Sequence, residues 1–331
     1  LWDGFFFART FLTFLPQQFF STRYRTVVNF RHPHLLSVRQ LLADDIQIIL
    51  DKARGYRAFF STATTSNDLA GLVVLNAFFE PSTRTRSSFE IAAKKLGAHV
   101  VNFHSQSSSI SKGESLKDTL ATLDAMGPSI VVMRHRASGA AEYAASIVKA
   151  GIINAGDGMH EHPTQALLDV LTLQDVVPQN SLRAVGIVGD LLHSRVFRSN
   201  VHLLNALGIQ VHVLAPPTLM PRDMSSFPVT IHSGLDNLLA TVDAVMMLRL
   251  QNERMSGGLL PRGGEYRKYY GLTMDHMHRH SHLHVLHPGP ANYGWELDEN
   301  VTDHSRCHMR AQVTNGVFIR MACMSLVAGR S

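Results

Sequence analysis

A chain of 331 residues, 45% hydrophobic and 17% charged, is long enough for about two domains with ordinary apolar cores. Its formal charge of +5 comes from lysines and arginines scattered without a long basic tract, so anionic small molecules account for it as well as nucleic acid does. Two cysteines, Cys307 and Cys323, cannot build a disulfide framework and suit a reducing cytosol, and the lack of an uninterrupted apolar run of about 18 residues argues against a transmembrane span.

Residues 1–34 differ from the rest. Phe5, Phe6, Phe7, Phe11, Phe14, Phe19 and Phe20 interleave with Arg9, Arg23, Arg25 and Arg31, and Asp3 is the sole acid. An Arg-rich, acid-poor start fits a transit peptide and fits an interaction arm equally, so it is set apart from the fold. The cytoplasm is the expected compartment, with an organelle the alternative if 1–34 is a transit peptide. From Leu35 onward helical and strand patterns alternate. Ile46, Ile49, Leu50 and Ala53 mark one helical face, and Leu116, Leu120 and Leu123 another. Short apolar runs lie between: Val73 to Phe79, Ile130 to Met133, Ala184 to Val188, Val211 to Leu214, Ala244 to Leu248 and Leu283 to Leu286. Runs of this length alternating with helices predict an α/β chain with two doubly wound parallel-sheet domains, 35–164 and 165–310. Ligands of such sheets collect at the carboxyl ends of strands, which places the active site in the cleft between the domains.

The densest polar cluster follows the first run. Phe79-Glu80-Pro81-Ser82-Thr83-Arg84-Thr85-Arg86-Ser87 leads straight into the helical pattern from Phe89 to Leu96. A helix N-terminus presents unpaired N–H groups and partial positive charge, so hydroxyls and guanidiniums placed there make a seat for a phosphate dianion. Each charge-assisted contact is worth about 1.5–3 kcal/mol net. A capped helix with solvated arginines is the plain alternative. Later runs end in Arg134-His135, in Gly156 to Gln165 with His162 and Gln165 opening a helix, in Gly189 to Arg195, and in Arg249 to Arg254. His160-x-His162 has the spacing of half a metal site but lacks a third ligand, and a loop histidine is commonly just a surface residue. Gly186 to Asp190 falls short of a G-x-G-x-x-G fingerprint, which disfavours dinucleotide chemistry. Arginines at two strand ends suit the gripping of carboxylates, although either by itself reads as a surface ion pair.

Taken in order, these clusters resemble the motifs of the transcarbamoylase family over about Leu35 to Ala328. Ser82-Thr83-Arg84-Thr85-Arg86 looks like the carbamoyl phosphate signature, and His162-Pro163-Thr164-Gln165 like the histidine motif that holds the carbamoyl carbonyl. Ser108 to Glu114, containing Lys112, is similar to the loop that enters a neighbouring subunit's site. Gly189 to Arg195, Arg249-x-Gln251 and His287-Pro288-Gly289-Pro290 resemble the elements for the second substrate. Ornithine-specific members carry His-Cys-Leu-Pro at the last of these and recognise a cation. This chain has no cysteine there, and Arg249 with Gln251 suits a dicarboxylate, so aspartate is the expected amine. Two positions depart from the pattern: Tyr293 stands where arginine is usual, and Arg136 where proline is more common.

The resemblance implies an aspartate carbamoyltransferase reaction of de novo pyrimidine biosynthesis. The aspartate amine attacks carbamoyl phosphate through a tetrahedral oxyanion and expels phosphate, with no cofactor and no metal. Ser82, Thr83, Arg84, Thr85 and Arg134 would meet the phosphate. His162, Thr85 and Arg134 would donate to the carbonyl oxygen, one such donor being worth about 2.7–4 kcal/mol. Gln165 and the Pro288 and Gly289 carbonyls would accept from the NH2, with the Gly289-Pro290 bond cis. Arg195, Arg249, Gln251 and Lys112 would hold the aspartate carboxylates. In a homotrimer Ser108 and Lys112 would reach the neighbouring site, a helix over 311–329 would pack back on the first domain, and 252–262 would close over aspartate. A dihydroorotase or a regulatory chain is left open as a further partner, and neither nucleic acid nor membrane is expected. A transcarbamoylase for another amine and a non-catalytic scaffold are the alternatives, the second opposed by the full set of Arg84, Lys112, Arg134, His162, Arg195 and Arg249.

Overall fold

A computed structural model of the protein describes residues 30–104, 114–178, 181–251 and 263–329. The first half runs α1 (Ala43–Phe59), β1 (Val73–Phe78), α2 (Thr83–Lys95), β2 (His99–His104), α3 (Leu116–Ala125), β3 (Ile130–His135), α4 (Ala140–Ala145), β4 (Gly151–Asp157) and α5 (Pro163–Val176). The second runs β5 (Ala184–Val188), α6 (Arg195–Ala206), β6 (Gln210–Leu214), β7 (Thr230–Ile231), α7 (Leu235–Leu239), β8 (Ala244–Met247), α8 (Gly263–Tyr270), α9 (Met274–Arg279), β9 (His284–Leu286), α10 (Glu299–Thr302) and α11 (Met309–Val327).

Strands β1 to β4 form one parallel sheet in the order β2-β1-β3-β4, and β5 to β9 a second in the order β7-β6-β5-β8-β9. The expected α/β class with two doubly wound parallel sheets is therefore what the chain adopts. Central strands are apolar throughout because helices cover both faces: every residue of β5 and of β8 is buried. The edge strand β2 pairs only with β1 and leaves Val101 49% exposed, so it carries no continuous apolar run for the sequence to display. At β7, two exposed residues give no pattern at all.

Strand order reverses between β1 and β3 in the first sheet and between β5 and β8 in the second. Loops leaving such a switch point diverge to opposite faces and open a crevice at the carboxyl ends. The crevice of the first sheet receives the Glu80 to Thr85 turn and Arg134, and that of the second receives Gly189 to Arg195 and Arg249. A single apolar cluster runs from Leu35, Ile46 and Ile49 through Phe89, Ile153 and Leu171 to Phe197, Val201 and Val213, so both halves share one core. Fully buried Phe89 and Phe197 contribute about 1.5–3 kcal/mol each to it. α11 completes this core by packing on α1, α5 and α2 from the far end of the chain. Among the described residues no helix is long and apolar enough to cross a membrane.

Candidate active site

Three helices aim their N-termini at one place. α2 begins after Ser82, α5 after His162 and α6 after Ser194, each bringing the partial positive charge of its N-terminus to the same region. Between them lies a cavity of about 680 Å³ lined by Ser82, Thr83, Arg84, Thr85, Arg134, His162, Gln165, Arg195, Arg249, Gln251, Pro288, Gly289 and Pro290. Ser108, Lys112 and the 252–262 segment lie outside the described residues.

Ser82 decides between the two readings of its turn. Its side chain makes no capping bond to α2, whereas Ser194 caps α6 by accepting from the Phe197 N–H at 3.0 Å. Ser82 therefore lines the cavity with a hydroxyl whose oxygen is not spent as an acceptor on its helix. Glu80, just before the turn, is a residue that motif reading does not assign. Its Oε1 accepts from Arg134 Nε at 2.6 Å and from Arg195 Nη2 at 2.7 Å, joining a strand end of the first sheet to a helix start of the second. Burial alone would raise the Glu80 carboxyl, but Arg195 and Arg134 outweigh it and hold the group below the usual carboxylate range. Arg134 also donates to Thr85 Oγ1 at 3.2 Å, which aligns both with the α2 N-terminus. Burial and the charge of Arg249 push the Arg84 guanidinium below its ordinary value, a crowding of cations that a bound anion would relieve.

His162 is the N-cap of α5, and Pro163 at the first helical position needs no N–H partner. Its main-chain N–H donates to Ser199 Oγ at 2.8 Å, and Ser199 and Ser37 both donate to Glu161, so the turn is locked from two sides. The imidazole is 4% exposed and its Nδ1 finds no hydrogen-bond partner among the described residues. Burial first, then the charges of Arg134, Arg195 and Arg320, drive its pKa well below the ordinary histidine value. A neutral ring at the cavity wall can donate one hydrogen bond without carrying charge. His160, by contrast, turns to Asp157 at 3.0 Å. No group of three or more metal-binding side chains occurs among the described residues.

Gln165 lies one turn before Asp169 and donates Nε2 to its Oδ1 at 2.9 Å. Gln312 Nε2 reaches the same oxygen at 2.7 Å, and Asn200 Nδ2 reaches Oδ2 at 2.9 Å. Arg320 of α11 also lines the cavity, donating to Ser88 Oγ at 2.6 Å with its guanidinium 5.1 Å from the Phe89 ring centre. Burial lowers this arginine to about 10. The motifs do not contain it, yet one signal exists: a lone cation within the apolar stretch Val317-Phe318-Ile319-Arg320-Met321-Ala322.

On the opposite wall Arg195 is nearly buried and donates to the Gly158 carbonyl at 3.2 Å. Gly156, at φ +116°, leaves room for it: a Cβ there would lie 2.8 Å from Arg195 Nε. Gln251 is steadied by donating Nε2 to the His193 carbonyl at 3.1 Å. The Gly289-Pro290 bond is cis, as expected, and Gly289 has φ +61° with Arg84 directly against its α-carbon. Cationic groups thus surround a site where two anionic ligands can be held side by side, with a neutral donor and an amide between them.

Comparison with known proteins agrees with this geometry. Residues 33–175 match the aspartate/ornithine carbamoyltransferase carbamoyl-P binding domain, and 183–327 the Asp/Orn binding domain of the same family. The aspartate carbamoyltransferase catalytic subunit of Frankia casuarinae is 51% identical over 300 residues, 90% of this chain and 94% of that protein. Its counterpart in Sphingopyxis alaskensis is 48% identical over 305 residues, 91% of this chain and 89% of that protein. Aspartate transcarbamoylase of Trypanosoma cruzi in complex with carbamoyl phosphate and aspartate superposes with a TM-score of 0.80 at 33% identity, covering 88% of this chain and 95% of that one. Its complex with N-(phosphonacetyl)-L-aspartic acid also gives 0.80 at 33% identity, covering 88% of this chain and 94% of that one. On two domain matches that span nearly all of the chain outside its first 32 residues, together with relatives about half identical along that length, the chain belongs to the aspartate/ornithine carbamoyltransferase family.

Proposed function

We propose that the cavity transfers the carbamoyl group of carbamoyl phosphate to the α-amine of L-aspartate, giving N-carbamoyl-L-aspartate and phosphate. The observation that carries this reading is the division of one cavity into a phosphate wall of Ser82, Thr83, Arg84, Thr85 and Arg134 and a carboxylate wall of Arg195, Arg249 and Gln251. His162 and Gln165 sit between them. The amine nitrogen bonds to the carbonyl carbon, and the oxyanion that forms is met by His162, Thr85 and Arg134. Collapse breaks the bond to the phosphate oxygen, which leaves with the electron pair and takes the amine proton. Neutral His162 acts as a hydrogen-bond donor to the oxyanion, and its loss should lower kcat by about 10²–10³. Gln165 and the Pro288 and Gly289 carbonyls accept from the NH2. Holding both reactants in line supplies about 7–11 kcal/mol of the barrier, as much as any single group.

The working form is a homotrimer in which Ser108 and Lys112 of one subunit serve the next, acting in the cytosol on the route to pyrimidines. Incubating the purified protein with carbamoyl phosphate and either aspartate or ornithine tests the reading directly. Carbamoyl-aspartate is expected, with citrulline at trace level at most. A folded protein that forms neither product, or prefers ornithine, overturns it. Fractionation of cells carrying the native protein checks the compartment.

A further inference from the structure

We infer that Asp169 is a positioning residue that makes the site select an NH2 on the transferred acyl group, by holding the Gln165 amide with its carbonyl oxygen toward the cavity. This rests on the reading that carbamoyl phosphate is the donor and that Gln165 faces its nitrogen. A carboxylate only accepts, and an amide has one accepting and one donating end. Asp169 is fully buried and receives amide N–H groups from three helices: Gln165 of α5, Asn200 of α6 and Gln312 of α11. Committing Gln165 Nε2 to Asp169 leaves Oε1 as the atom for the cavity that Gln165 lines. An acceptor fixed in a water-poor wall rewards a ligand N–H and penalises a methyl at the same place. Burial outweighs the opposing pull of Asn200, Gln312, Gln165 and the Arg320 charge and leaves the Asp169 carboxyl raised to about 7, so the comparison of variants belongs above that pH, where the carboxylate only accepts.

Acetyl phosphate, with CH3 in place of NH2, is the probe. The quantity to measure is the ratio of kcat/KM for carbamoyl phosphate to that for acetyl phosphate, with aspartate as acceptor. Asp169→Leu should reduce the ratio at least tenfold, and Asp169→Asn, which keeps one accepting oxygen, should restore most of it. If Asp169→Leu does not fold, Asp169→Thr removes the same acceptor, because its short hydroxyl is drawn to the carbonyl one turn back. In a Gln165→Ala background the Asp169 substitution should cause no further fall, since residues that act through one contact are not additive. A ratio within twofold of native in the folded Asp169 variants, or a fall that persists without Gln165, overturns the inference while leaving the role of Gln165 intact. If Gln165→Ala itself leaves the ratio unchanged, the reading of Gln165 fails and the inference falls with it.

Discussion

Glu80 puts one carboxylate between two guanidiniums from different sheets, and the local sequence shows only part of this. The turn Glu80-Pro81-Ser82-Thr83-Arg84 stands out in the sequence, but the partners Arg134 and Arg195 lie 54 and 115 residues away. Residue types at strand ends were legible because the chemistry of anions demands them; pairings such as Glu80, Asp169 and Arg320 were not, because they depend on which helix lies beside which. Two half-buried histidines give a prediction at this scale. His202 is lowered to about 4 by burial and by Arg39, and His308 to about 4 by burial and by its stacked neighbour His284. Unfolded histidine takes up a proton near 6.5, whereas these take it up only near 4. Their contribution is therefore complete above pH 6.5 and is lost as pH falls from about 6.5 to 4. Asp169 acts in the opposite sense, since its raised pKa means the native state binds a proton first on acidification. Thermal melts across this range should show Tm falling with pH. Replacing both His202 and His308 by Asn should flatten the fall by about 1 kcal/mol per residue after solvent screening, a few °C in all. An unchanged slope in the double variant would refute the assignment.

At the scale of elements, the alternation of apolar runs with helical faces was enough to reveal the fold class, and the strands it missed are those with one neighbour or almost no length. β2, an edge, mixes His99, Asn102 and His104 among its apolar residues, and β7 has two residues. The turn after β9 shows how an element's end can matter more than its body. Gly289 sits at φ +61°, where a side chain is strained, and a Cβ would collide with the Arg84 guanidinium. Gly289→Ala should therefore displace Arg84 and cut kcat/KM for carbamoyl phosphate by about 10–100-fold, with the fold and far-UV spectrum retained. Arg84→Ala combined with Gly289→Ala should lose less than the sum of the two, because the collision partner is gone. Additive losses would show that the glycine matters for some other reason.

For the whole molecule, the shared core means that the two sheets are not independent halves joined by a linker: α5 and α11 belong to the same apolar cluster as α1 and α6. The proposed trimer can be checked by mixing inactive subunits. In a closed three-membered ring, every mixed trimer of His162→Ala and Lys112→Ala subunits has one interface where an intact His162 meets an intact Lys112. Refolding the two together should recover up to about a third of native activity, and failure to recover any argues for self-contained subunits. Six arginines line the cavity, Arg84, Arg134, Arg195, Arg249, Arg310 and Arg320, and among the described residues no carboxylate does. Dissolved counter-ions must then compete with substrate for the same surface. With a Debye length of about 10 Å at 0.1 M salt, the apparent KM for carbamoyl phosphate should climb with ionic strength while kcat holds. At matched ionic strength sulfate and inorganic phosphate should raise it further than chloride, so that the medium itself sets how much of the enzyme is open to carbamoyl phosphate.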